Sequence, residues 1–189
     1  MKNAGLLLGF VPLIVYGVLA SVTSMTLALA AATVTTIVIG WTDLRKGMIL
    51  SWANLVMFGC GFITIGVLGI AWVTPYMGVL IYAALAAFTF GSILVGMPFT
   101  LQYARGMVDE ALWKNPFFIQ VNVLMTGVWG GIFSVNLGLS AIMIITPGSI
   151  GRVVQVITYI VLVVGIIFTI WYPEHIRKKY PPAPVHNAT

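Results

Sequence analysis

The sequence predicts an all-α integral membrane protein with six transmembrane helices. Of its 189 residues, 60% are hydrophobic and 7% are charged, whereas soluble domains contain roughly 45–50% and 25% of these classes. The mean hydropathy is +1.07. The apolar residues form six runs close to the length of about 20 residues that crosses a hydrocarbon core roughly 30 Å thick. The runs do not alternate with period two, which excludes outer-membrane strands.

The six predicted helices cover residues 6–20, 25–41, 49–73, 78–97, 117–145 and 150–172. The first run resembles a secretion signal, but Pro12 interrupts it and no small-residue cleavage motif follows it, so we expect it to be retained. These boundaries predict a transmembrane domain over residues 1–173 and a flexible cytoplasmic tail over residues 174–189.

Small residues spaced four apart predict where helices pack closely, because removing side chains lets backbones approach in lipid. Such pairs occur in the first, fourth and fifth helices: Gly5 and Gly9; Ala83, Ala87 and Gly91; and Gly127 and Gly131. In the fifth helix we expect the glycine pair to form a tight seam, with Trp129 facing away from it. The single cysteine, Cys60, lies inside the third helix, where we expect a small buried apolar residue.

The fifth helix is also the most polar. Asn122, Thr126 and Ser134 are spaced four and eight apart and are candidates for a polar cleft near the midplane. The alternative is ordinary hydrogen bonding between neighbouring helices.

The segment between the fourth and fifth helices concentrates charge, proline and aromatic residues. If residues 101–114 are helical, Ala104, Met107, Val108, Ala111 and Leu112 form one apolar stripe. Two oppositely charged pairs, Arg105 with Asp109 and Glu110 with Lys114, are four apart on the other face. The pattern predicts a short amphipathic helix on the membrane surface with Trp113 as an interface anchor, ended by Pro116. The alternative is a solvated loop.

The distribution of basic residues predicts the orientation. With six spans, eight basic residues lie on the side of the termini: Lys2, Arg45, Lys46, Arg105, Lys114, Arg177, Lys178 and Lys179. Arg152 alone lies near the other side. The positive-inside rule therefore places both termini in the cytoplasm. We expect Arg105, Trp113, Lys114, Arg177, Lys178 and Lys179 to contact the membrane surface. Because these short basic clusters flank spans, they are poor evidence for nucleic-acid binding.

The predicted spans carry no lysine, arginine, aspartate, glutamate or histidine near their centres. Ion-coupled pumps and proton relays usually contain such residues. The two histidines, His175 and His186, lie in the predicted tail, and no zinc-type, dinucleotide or phosphate-binding motif is present. The sequence therefore predicts no catalytic residue, metal site or cofactor.

Several stretches resemble a known family. VPLIVYG, LRKGMILSWANLVMFGCGFITIG, GSILVGMPFTLQYAR and WKNPFFIQVNVLMTGVWGG occur in this order over about residues 11–136. The chain thereby resembles small bacterial membrane proteins of the intracellular septation protein A-like family. The resemblance implies a multi-pass protein of the bacterial inner membrane, and it assigns neither a reaction nor site residues.

Three functions remain open. The first is a non-catalytic accessory or scaffold subunit that packs in the bilayer against other membrane proteins or a second copy of itself. The second is a small transporter or channel for a neutral or weakly polar solute. The third is a membrane enzyme acting on a lipid headgroup through Arg105, Asp109, Glu110 and Lys114. We expect the first.

Overall fold

The computed structural model describes residues 4–146 and 148–179, and this part of the chain is helical without any strand. Its α-helices are α1 (Ala4–Val22), α2 (Met25–Arg45), α3 (Ile49–Phe62), α4 (Met77–Leu94), α5 (Phe99–Arg105), α6 (Pro116–Ile145) and α7 (Ser149–Lys179). Six helical segments are long and apolar enough to cross a membrane, judged by length and composition. The exception is α5, which has only seven residues.

Two of the long segments end more than four residues away from the predicted positions. After α3 the chain forms one π-helical turn, Ile63–Val67, so the third span ends near residue 67 rather than 73. A 3₁₀ helix, Ala71–Tyr76, then leads into α4. At the other end of the protein, α7 continues through Pro173 to Lys179. Residues 174–179, predicted to belong to a flexible tail, are therefore helical, and residues 180–189 lie outside the described part.

Local sequence explains the helix ends. The side chain of Asn115 accepts hydrogen bonds from the amides of Phe117 (2.9 Å) and Phe118 (3.3 Å), and Pro116 opens α6 where no amide hydrogen is needed. At the end of α4, Gly96 has φ +73°. This left-handed conformation suits glycine, and it lets the amide of Met97 bond to the carbonyl of Ser92. The chain can then turn back towards the bundle.

The long helices pack against one another in pairs. The most extensive contacts join α4 to α6, α1 to α2, α2 to α3 and α6 to α7. At the centre, Trp129 of α6 is fully buried and stacks on Phe10 of α1 with ring centroids 4.0 Å apart. The indole NH of Trp129 donates to the hydroxyl of Thr169 on α7 (2.9 Å). One side chain thus connects three helices.

The predicted surface helix over residues 101–114 is wrong. The helix begins at Phe99 and ends at Arg105, and a separate 3₁₀ turn covers Glu110–Leu112. Asp109 explains the break, because its backbone is extended and its carboxylate accepts from the amide of Ala111 (3.2 Å). A capping side chain of this kind competes with a continuous helix. Four residues of α5 are buried, so α5 docks into the bundle: Phe99, Thr100, Leu101 and Tyr103.

Candidate functional site

The buried face of α6 organises the polar interior. Six of its buried residues alternate in spacing between four and three: Asn122, Thr126, Trp129, Phe133, Asn136 and Ser140. This is a heptad pattern, which places all six on one side of the helix. The glycine pair of the same helix indicated a different face. The spacing of the large aromatic and amide side chains was the signal that indicated the correct face.

The orientation predicted for α6 is therefore wrong within the chain. Trp129, expected to face away from the helix contact, is fully buried. In the part of the chain that the structure describes, a methyl group built at Gly127 or Gly131 would meet no atom within 4 Å, whereas one at Gly130 would lie 2.7 Å from the Phe90 ring of α4. Gly130 and not the predicted pair thus allows α4 and α6 to approach. A contact of Gly127 and Gly131 with another protein stays a prediction.

Of the small residues predicted on the first and fourth helices, some lie at contacts inside the bundle and others face outward. A methyl group at Gly9 would lie 2.9 Å from Leu50 Cδ2, so α1 and α3 meet closely there, whereas one at Gly5 would make only an ordinary contact of 3.7 Å with Tyr103. On α4, Ala87 is exposed and Gly91 has open space beside it. Ala83 is partly buried. The buried face of α4 carries larger residues: Met77, Ile81, Tyr82, Leu85, Ala86, Thr89 and Ser92.

One polar cluster holds α5 against α6. The hydroxyl of Thr100 donates to the carbonyl of Asn122 (2.9 Å) and lies 2.8 Å from the hydroxyl of Thr126. All three residues are buried. The side-chain amide of Asn122 donates to its own helix at Phe118. Of the predicted cleft residues, the structure thus brings Asn122 and Thr126 together, whereas Ser134 is exposed and bonds within α6.

A second polar cluster joins α5 to α1 and α3. The hydroxyls of Tyr103 and Ser51 lie 3.4 Å apart, and the amide NH₂ of Asn54 donates to the carbonyl of Gly9 (2.8 Å). Burial raises the pKa of the Tyr103 hydroxyl well above its usual range; the Ser51 hydrogen bond opposes this increase, and Asp43 adds to it. Tyr103 is therefore a neutral hydrogen-bonding group at physiological pH.

The segment predicted to lie on the membrane surface is held by contacts between its own residues. The indole NH of Trp113 donates to the carbonyl of Arg105 (3.1 Å), and the guanidinium of Arg105 lies 5.6 Å from the centre of the Trp113 ring. Trp113 thus closes the loop after α5.

The charged residues of this segment are not arranged on one helix. Asp109, Glu110 and Lys114 are exposed. Because α5 ends at Arg105 and the 3₁₀ turn covers only Glu110–Leu112, neither of the two predicted charge pairs has the helical spacing that would bring its members together.

At the end of α7, Lys178 is exposed. Arg177 and Lys179 belong to the same helix, and their side chains lie outside the described part. Cys60, expected to be buried, is exposed on α3.

Among the described residues, two buried side-chain amides have atoms without a hydrogen-bond partner. Asn136 is fully buried, and neither its side-chain oxygen nor its nitrogen is hydrogen-bonded; Asn54 lacks a partner for its oxygen. Within the described residues, no group of three or more His, Cys, Asp or Glu side chains is placed to hold a metal ion. The clusters offer hydroxyls, amides and backbone carbonyls. This chemistry suits helix packing or the binding of a neutral polar group.

No family model, curated protein or solved structure matches the chain. The resemblance to the intracellular septation protein A-like family therefore stays a prediction, and the function has to be argued from the geometry.

Proposed function

We propose that the protein is a non-catalytic subunit of the bacterial inner membrane that packs against another membrane protein or a second copy of itself. The observation that carries the proposal is the outward position of small residues along α6. Methyl groups built at Gly127, Gly131 and Gly138 would meet no atom of the described residues within 4 Å. The three residues follow one another at four and seven positions, so they form a stripe along one side of the helix.

No side chain of the described residues packs against this stripe. Glycine in a helix interior costs about 1 kcal/mol relative to alanine in water, whereas the buried glycines Gly130 and Gly165 adjoin aromatic rings that a methyl group would meet. In lipid, a flat helix surface allows a second helix to approach closely and gain dispersion energy. The stripe on α6 is suited to such a contact.

Replacing Gly131 with leucine tests the proposal. Because space is open at this position, we expect the unfolding free energy of the isolated protein to stay unchanged, in contrast to the loss of about 1–3 kcal/mol that overpacking would cause. We expect a stoichiometric partner, or the second copy, to be lost when complexes are cross-linked in native membranes and quantified by mass spectrometry.

Ala141→Leu is the matched control, because Ala141 is also exposed on α6 and lies about 80° around the helix from Gly131. Equal complex formation by the wild type and Gly131→Leu would contradict the proposal. Equal loss in both variants would show that any added bulk on α6 is harmful, and would also contradict it.

A second candidate is a transporter or channel for a neutral polar solute. It is favoured by Asn136, whose unpartnered amide is fully buried in a membrane-length helix. If Asn136 has no polar partner, Asn136→Leu should raise the unfolding free energy by about 1–3 kcal/mol, because an unsatisfied buried group is removed. A lower unfolding free energy would indicate that water or a solute bonds to the amide. Thr35→Val, which removes a hydroxyl bonded within its own helix, is the control for loss of a polar group.

A further inference from the structure

The turn between α2 and α3 presents two cations beside two tryptophan rings. Arg45 is the last residue of α2, Lys46 is its C-terminal cap, and both are exposed. Trp41 and Trp52 are 50% and 49% exposed. Neither cation has an ion-pair partner among the described residues. These four residues, called the α2/α3 corner below, therefore carry an unbalanced positive charge.

The tryptophan rings leave the hydrogen-bond donors of Arg45 free. The guanidinium lies over the ring of Trp41, 4.7 Å from its centre, and the two residues are one helical turn apart. Because the N–H groups of a guanidinium lie in its plane, a contact through the flat face leaves the edge open to an anion. The indole NH of Trp52 donates to the carbonyl of Leu44 (3.0 Å). The second ring is thereby held at the end of α2 as well.

The one acidic residue of this turn does not neutralise the cations. Asp43 is partly buried, and its charge adds to the effect of burial in raising the pKa of the Tyr103 hydroxyl on α5. It forms no ion pair with Arg45 or Lys46. An anion from outside the protein can therefore bind to the two cations without displacing a carboxylate.

The α2/α3 corner lies at the level of the lipid headgroups if α2 crosses a bilayer. With 21 residues, α2 is about 30 Å long, and the hydrocarbon core is also roughly 30 Å thick. When Met25 lies at one edge of the core, Arg45 thus lies at the other, and Trp41 is one turn nearer the centre. Tryptophan rings at the edge of the core and basic residues just outside it are typical of contacts with phospholipids.

From the free donors, the unbalanced charge and the level, we propose that the α2/α3 corner binds the headgroup phosphate of one anionic phospholipid. The edge of the Arg45 guanidinium donates two hydrogen bonds to the phosphate oxygens, and Lys46 adds charge. The rings of Trp41 and Trp52 pack beside the glycerol and the first part of the acyl chains. Sequence spacing does not indicate this site, because Trp52 meets α2 only after the chain has turned at Gly47, which has φ +70°.

The test is native mass spectrometry of the full-length protein in detergent, titrated with phosphatidylglycerol or phosphatidylcholine. For the wild type we expect tighter binding of phosphatidylglycerol. Arg45→Gln and Lys46→Gln should each lower the phosphatidylglycerol affinity about fivefold, the contribution of one basic residue near an anionic lipid surface. Arg45→Lys keeps the charge but removes the planar pair of donors, so its affinity should lie between those of the wild type and Arg45→Gln.

Arg152→Gln is the matched control, because Arg152 is also exposed and its replacement removes the same charge from the start of α7. It should bind phosphatidylglycerol like the wild type. Melting temperatures verify that each variant is folded. Inorganic phosphate added in millimolar excess should not displace the lipid, since it lacks the acyl chains that contact the tryptophan rings.

Equal phosphatidylglycerol affinity in Arg45→Gln and Arg152→Gln would overturn the site. Wild-type affinity in Arg45→Lys would overturn the two hydrogen bonds from the guanidinium, and displacement by inorganic phosphate would assign the site to a free anion. The lipid site does not depend on the proposed subunit function, because its residues lie on α2 and α3 and not on the glycine stripe of α6.

Discussion

At the scale of single residues, Trp129 explains why the predicted orientation of α6 was wrong. The prediction took the pair of glycines as the contact and placed the tryptophan opposite to it. In the structure the large ring occupies the core, where it stacks on Phe10 and bonds to Thr169. A buried aromatic side chain contributes far more contact area than a pair of aligned glycines. The aromatic residues therefore determine which face of the helix is buried. Gly130 and Gly165 then accommodate the neighbouring rings.

Replacing Trp129 with alanine should therefore be among the most destabilising single changes. We expect a loss of about 3–5 kcal/mol in the free energy of unfolding, because the variant leaves a cavity among α1, α6 and α7. Denaturant titration in detergent measures this loss. Trp72→Ala is the control: Trp72 is 73% exposed, and exposed substitutions change stability by about 0.5 kcal/mol or less. Similar losses in both variants would contradict the central role of Trp129.

At the scale of elements, the long helices and the short helix differed in how well sequence predicted them. Runs of about 20 apolar residues indicate spans because lipid requires every backbone group to be paired within a helix. In contrast, α5 is a seven-residue helix, and its first residues are held by the Ser92 hydroxyl of α4, which accepts from the amide of Phe99 (3.2 Å). No local pattern specifies such a tertiary contact. The apolar stripe over residues 101–114 was a chance match to helical spacing.

The docking of α5 should depend on the hydroxyl of Thr100. Thr100→Val keeps the shape of the side chain but removes the donor to Asn122 and the partner of Thr126. We expect a loss of about 1–3 kcal/mol in the unfolding free energy, because two buried hydrogen bonds are removed and each contributes about 0.5–1.5 kcal/mol.

Thr35→Val is the matched control for Thr100→Val, since Thr35 bonds only to the carbonyl of Ala31 in its own helix. A double-mutant cycle of Thr100→Val and Thr126→Val measures the interaction directly. An interaction energy near zero would mean that the Thr100–Thr126 contact does not help to hold α5 against α6.

At the scale of the whole molecule, the composition predicted the architecture better than any motif did. An even number of membrane-length helices places Ala4 and Lys179 on the same side of the bundle if every long helix crosses the bilayer. The two polar clusters that position α5 involve residues far apart in the chain, such as Ser51 with Tyr103 and Thr100 with Thr126. Sequence spacing does not reveal which of these side chains meet. The apolar runs, in contrast, directly show the length and composition that a membrane-spanning helix needs.

The orientation of this bundle is the remaining prediction, and it follows from charge. If all six long helices cross the bilayer, the sequence order assigns eight of the nine basic residues to the side of the termini and Arg152 to the opposite turn. Basic loops stay in the cytoplasm during insertion, so alkaline phosphatase, which folds only in the periplasm, should be inactive when fused after Thr189. The same enzyme fused after Gly148, in the turn between α6 and α7, should be active. Neutralising Arg45, Lys46, Arg105 and Lys114 together should weaken this difference, because these changes remove the positive charges of both internal loops on the basic side. Activity of the Thr189 fusion with inactivity of the Gly148 fusion would reverse the orientation and place the basic end of α7 outside the cytoplasm.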